Sequence, residues 1–185
     1  LPGYPIDKAR PDVPVRLLDI QPEQRFLIQT GLRFVDGGDE PNHLATFAAE
    51  QNRYELGSDQ DVLVVPLRWL SDGDVTATKV FTFRRGSYQV DVELVIDNPS
   101  AEAQSGAAYT QLTRRHQPVD RSFTSVDSYS FTGPVQYDGE KYEKLDVEDL
   151  AETAESGSYT GGWVASIQHH FLAATVPPAD QVFRY

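Results

Sequence analysis

The run Ser87–Asp97 constrains the fold more than any other stretch of this sequence. Tyr88, Val90, Val92, Leu94 and Ile96 occupy every second position, with mainly polar residues between them. A helix would scatter these five side chains around its axis, whereas a strand gathers them on one face. Leu63, Val65, Leu67 and Trp69 repeat the pattern. Val62 and Val64 are apolar on the opposite side, so the start of that strand is predicted to be covered on both faces. Pro66 has no N–H for a sheet ladder and marks an edge or a bulge. Phe26, Ile28, Leu32 and Phe34 share a third parity, with Thr30 between them.

Turn residues punctuate these runs at Asp36–Asp39, Gly57–Asp59, Ser71–Asp74, Arg85-Gly86, Asp97–Ser100, Tyr137–Gly139, Ser156–Ser158 and Pro177-Pro178. Many of the intervals run to about 8–12 residues, the spacing of an all-β sandwich or barrel. Asp61–Leu70, Thr76–Arg84 and Ser87–Asp97 read as a three-stranded meander, its second turn a tight Arg85-Gly86 in which glycine supplies positive φ. A single helix of about two turns is predicted over Val147–Ala154, where apolar residues fall at i, i+3, i+4 and i+7 behind an Asp146 N-cap. Gly161–Pro177 is ambiguous by period, because Trp163, Ile167 and Phe171 fit a helical face and a strand face equally. Its β-rich surroundings favour a bent or bulged strand.

At 185 residues the default is one domain, large enough to fold without a disulfide or a metal. There is no cysteine, which excludes a disulfide scaffold, thiol catalysis, cysteine-bound zinc and iron–sulfur clusters. A formal charge of -12 repels nucleic acid and anionic headgroups. No apolar run approaches the roughly 20 residues of a membrane helix. With no methionine and a start inside apparent coil, the chain is expected to be a piece of a longer polypeptide.

Catalytic and metal signatures are weak. His169-His170 on a strand would direct its rings to opposite faces, so a joint metal site is not expected there. Asp36-Gly37-Gly38-Asp39-Glu40 lacks the ligand spacing of a calcium loop and reads as a solvated turn, as do Asp72 and Asp74. Arg84-Arg85 and Arg114-Arg115 are the only basic doublets, too few for a nucleic-acid stripe. No pair among the 28 acids announces a glycosidase couple.

Three stretches, taken in order, carry a family resemblance. Gly161-Gly162-Trp163-Val164-Ala165 leads through Gln168 and an aromatic-bearing centre to Pro177. Asp138–Leu145 contains Glu-Lys-Tyr-Glu-Lys, and Lys79–Val90 forms a strand–Arg-Gly-x-Tyr–strand hairpin. In order and spacing they resemble the large periplasmic domain of the YidC-type membrane protein insertases of Gram-negative bacteria. The similarity covers roughly positions 60–178, with Pro14–Asp19 extending it toward the start. Ser166 and Thr175 depart from it, standing where larger residues are common.

The resemblance implies a mainly β antiparallel supersandwich of the galactose mutarotase type, with one or two short helices. It implies that residues 1–185 are a single domain on the periplasmic side of the inner membrane, part of a multi-pass protein. It further implies a non-enzymatic, cofactor-free role in inserting membrane proteins with or without the Sec translocon, with Sec auxiliary subunits and nascent inner-membrane proteins as partners. The role would be protein contact or plain scaffolding. Tyrosines and charges alternate over positions 134–155, which are the expected partner surface, with a solvated face as the alternative. Candidate partner or cleft contacts are Tyr137, Lys141, Tyr142, Lys144, Trp163, Gln168, His169 and Phe171. The competing reading is a carbohydrate-binding or mutarotase-like domain on the same fold, which would need an acid and a base across a sugar pocket.

Overall fold

Alternating runs become antiparallel strands. The computed structural model describes residue 1 and residues 3–116, 131–168 and 170–185. In chain order the strands are β1 (Pro5–Asp7), β2 (Arg10–Pro14), β3 (Phe26–Phe34), β4 (Phe47–Ala49), β5 (Val62–Trp69), β6 (Thr76–Arg84) and β7 (Val90–Asp97). They continue with β8 (Gly106–Arg114), β9 (Thr132–Tyr137), β10 (Tyr142–Lys144), β11 (Ser158–Thr160), β12 (Trp163–Gln168), β13 (Phe171–Thr175) and β14 (Val182–Arg184). One 3-10 turn, Pro22–Gln24, and one helix, α1 (Val147–Glu152), complete the described elements. The fold class is therefore the expected one: mainly β, antiparallel, with two short helical pieces. The chain forms two compact units, Leu1–Gln29 with Thr110–Tyr185, and Thr30–Tyr109. Strands β3 and β8 pair with each other, and each runs through residues of both units.

In the unit Thr30–Tyr109 the sheet order is β4-β5-β6-β7. The expected meander is present, and its ladder is unbroken through Pro66, which faces Val80. On its other side β5 meets β4 only at Leu67–Trp69, so the missing N–H falls where no strand needs it. The Arg85-Gly86 turn also forms, with Gly86 at φ 73° and the Ser87 N–H donating to the Arg84 carbonyl. The assigned ladder resumes at Phe83 opposite Val90, so β7 begins three residues later than Ser87.

One face of this sheet is buried at one end only. Trp69 and Ala77 are enclosed, and Lys79 is enclosed with them. Its Nζ donates to the Thr30 carbonyl at 2.8 Å and lies 4.4 Å from the centre of the Phe47 ring. Burial lowers the pKa of this ammonium from its ordinary 10.5. Between the lowered value and 10.5 the unfolded chain binds more protons than the native one, so stability rises with pH across that window. Urea melts of the wild type and Lys79→Met should therefore diverge in favour of the wild type as pH climbs toward 10.5. A difference independent of pH would contradict this account.

The acidic loop after β3 is only partly a solvated turn. Gly37 and Gly38 adopt positive φ. Glu40 is buried, accepts the Phe34 N–H at 2.9 Å and faces the Arg33 guanidinium at 3.5 Å. That carboxylate closes the loop from inside.

In the other unit the sheet order is β10-β9-β12-β13. The Gly161–Pro177 segment is not one bent strand. It contains two strands that pair antiparallel, Ala165 facing Ala174 and Ser166 facing Ala173. Small residues let these strands be covered on both sides. Val135 and Ala165 are buried on one face, and Gln136, Ser166 and Ala173 on the other. Ser166 has a polar use: its hydroxyl accepts from Arg114 Nη1 at 2.9 Å, and the same nitrogen donates to the Ile167 carbonyl at 2.8 Å. That guanidinium lies 5.2 Å from the Phe26 ring centre.

Candidate functional site

The β9–β10 hairpin and α1 frame the recess where the predicted surface lies. Tyr142 pairs with Tyr137, leaving Asp138–Lys141 as the turn. Asp138 organises it, its Oδ1 accepting the N–H groups of Glu140 and Lys141 at 2.8 and 2.6 Å. Those two bonds hold the Asp138 carboxyl below the ordinary carboxylate range. Gly139, at φ 101°, lies where a Cβ would stand 2.7 Å from the Thr160 carbonyl oxygen. The Tyr137 hydroxyl donates to the Gly139 carbonyl at 2.7 Å.

Helix α1 follows as expected but ends two residues early, at Glu152. Asp146 Oδ1 accepts the Glu148 N–H at 2.8 Å, capping its start. Glu152 and Glu155 oppose the negative end of the helix dipole, which favours an early stop. Between hairpin and helix lies a polar recess of about 380 Å³. Lys141, Lys144, Glu143, Asp146, Asp149 and Glu155 line it with charge, and Leu145 and Leu150 add apolar surface.

Two of its charges hold each other. Lys141 pairs with Glu143, whose other oxygen accepts from Gln136 Nε2 at 3.1 Å. The bond from Lys141 and then that from Gln136 lower the Glu143 pKa, and the Glu143 carboxylate raises that of Lys141. Both groups stay ionised around neutrality. A general acid or base needs a pKa shifted the other way, toward the working pH. Gln136 itself is buried, and its Oε1 has no partner among the described residues.

On the sheet face opposite Glu143 and Gln136 stands an aromatic trio. Trp163 lies 5.9 Å from Tyr137 and 6.0 Å from Tyr142, ring centre to ring centre, in tilted contacts. Tyr142 is 45% exposed, so the trio offers an apolar edge to solvent. Lys144 Nζ sits 4.9 Å from the Phe131 ring centre.

The structure thus groups Tyr137, Tyr142 and Trp163 on one sheet face, which Lys144 shares, while Lys141 pairs with Glu143 on the other. It does not bring Gln168 and Phe171 to them. These two face each other five residues along β12 from Trp163, about 17 Å away at strand rise. Phe171 packs edge-on against Tyr4 at 5.3 Å. His169 lies outside the described residues. Sequence reasoning missed the stacked pair Tyr159 and Tyr185, 5.0 Å apart, in which the Tyr185 hydroxyl donates to Tyr159 at 2.7 Å. Burial is the main reason the Tyr185 pKa rises above its ordinary value of 10.0. The strand pairing of Ser158–Thr160 with Val182–Arg184 makes this contact, and neither segment alternates over enough residues to announce it.

The family model of the YidC periplasmic domain matches residues 1–185. The chain belongs to the YidC periplasmic domain family. Its relatives include the membrane protein insertase YidC of Methylococcus capsulatus, 41% identical over 180 residues that make up 96% of this chain and 32% of that protein. The YidC of Thioalkalivibrio sulfidiphilus is 40% identical over 191 residues, covering 100% of this chain and 33% of its own length. That of Pseudomonas fluorescens is 38% identical over 183 residues, 98% of this chain and 32% of the relative. The chain spans about a third of the length of these curated relatives. It is a periplasmic domain, and these relatives are named as membrane protein insertases.

Proposed function

We propose that residues 1–185 serve as one periplasmic domain of a longer membrane protein, and that this domain contacts other proteins while the parent inserts inner-membrane proteins. The YidC relatives are named as membrane protein insertases, and membership of that family carries the reading. Sec auxiliary subunits and nascent inner-membrane proteins are the partners we assign. The contact surface proposed is 134–155 with Trp163. The hairpin offers an exposed aromatic, Tyr142, on one face and contributes Lys141 and Glu143 to a charged recess from the other, and protein interfaces combine such aromatic anchors with polar surroundings.

The carbohydrate reading needs an acid–base couple, and Lys141 with Glu143 does not supply one, since each favours the other's charged form. Polarimetry of fresh aldose solutions separates the two. The chain is expected to leave mutarotation at its spontaneous rate. Acceleration abolished by removing the Glu143 carboxylate would replace the contact reading with the enzymatic one.

A further inference from the structure

We propose that the outer edge of β7 docks one extended segment of a partner protein, alternately apolar and basic, as a fifth strand on the β4-β5-β6-β7 sheet. Strand β7 pairs with β6 alone, and no backbone group of Val90–Asp97 bonds elsewhere among the described residues. It is eight residues long and contains no proline or lysine. Such an edge is a template for strand addition unless something blunts it.

Its two faces specify the guest. Val90, Val92, Leu94 and Ile96 form one row, beside Phe83, Phe81, Lys79 and Ala77 of β6. Val90 and Val92 are 41% and 42% exposed. They continue the line of an apolar groove of about 420 Å³ walled by Leu63, Val65, Phe81, Phe83 and Tyr54. The Tyr54 hydroxyl is buried without a partner among the described residues. The opposite face carries Asp91, Glu93 and Asp97, with one exposed apolar residue, Val95, between the last two. Arg84 engages Asp91, while Glu93 and Asp97 are exposed.

A second copy of the chain fits badly. With like faces aligned, antiparallel self-pairing sets Glu93 against Glu93 or Asp91 against Asp97, and like charges directly opposite repel. The unit Thr30–Tyr109 also carries 13 acids against 6 Lys and Arg. A segment with valine-like residues on the groove side and lysine or arginine on the other meets both faces.

This deepens the protein-contact reading and rests on it for its biological use. Labelled short peptides test it on the complete 185-residue chain by fluorescence anisotropy and amide exchange. One alternates valine and lysine, one has the same composition in two blocks, and one alternates valine and glutamate. The Val-Lys peptide is expected to bind roughly tenfold tighter than the block peptide and to protect the alternate amides of Val90–Asp97 that do not bond β6. The double variant Glu93→Lys, Asp97→Lys should invert the preference toward the Val-Glu peptide. Both positions are exposed, and circular dichroism checks that the variant folds. Equal binding of the block peptide, a preference unchanged by charge reversal, or protection elsewhere would overturn the proposal. So would outward-facing amides of Val90–Asp97, those not bonded to β6, already protected in the parent protein, since its own polypeptide would then occupy the edge. Cross-linking from Tyr142 in the double variant reports separately on the contact reading, which these failures leave standing.

Discussion

Replacing Gly162 with alanine is expected to cost about 3 kcal/mol or more, near the top of the range for overpacking a fitted site. A Cβ there would stand 2.2 Å from the Tyr137 carbonyl oxygen, 3.2 Å from its carbon and 3.0 Å from the Phe183 ring. The carbonyl is backbone at the start of the β9–β12 pairing, where Tyr137 faces Trp163, so it cannot swing aside. Relief requires prising β12 away from β9. Gly3→Ala is the control, because nothing lies within 4 Å of the added carbon, and it should change stability by less than about 0.5 kcal/mol. Denaturant melts of the two variants check the contrast, and equal stability would refute the packing described here.

Trp163→Ala should be the next most damaging change. A fully buried tryptophan costs about 3–5 kcal/mol on truncation, and this half-buried one about 2–3. The loss falls on the site, since the ring touches both Tyr137 and Tyr142. Tyr142, Glu143 and Lys144 should exchange their amide protons faster in the variant. Trp163→Phe should recover part of both effects. A variant with a lower melting point but unaltered exchange in β10 would show that Trp163 does not organise the recess.

The legible parts of this chain are those where local chemistry and tertiary packing agree. The β5–β6–β7 meander followed from period two and from Gly86, and α1 from Asp146 with its i, i+3, i+4, i+7 spacing. Gly161–Pro177 was not legible. Between Trp163 and Thr175 no glycine, proline or asparagine marks a reversal, so period alone joined two strands into one. The antiparallel pairing sets Phe171 opposite Gln168, and it therefore lies on the face away from Trp163 and Ile167. Alternation could also not say how deeply a face is buried. In β7 the apolar parity is correct, yet Val90 and Val92 remain well exposed because the strand is an edge. For the site, Tyr137, Tyr142 and Trp163 cluster since the β9–β10 hairpin and the Gly-Gly-Trp start meet across β9. That meeting depends on register, which no local pattern encodes.

The central claim is that the β9–β10 hairpin and α1 present a protein-contact surface. Photo-cross-linking tests it most directly, with a photoreactive residue at Tyr142 of the parent insertase and a matched probe at exposed Leu44, within the other unit. During membrane protein insertion, the Tyr142 probe should give discrete protein adducts that the Leu44 probe does not. Identical adduct patterns from the two positions, or none from Tyr142, would contradict it.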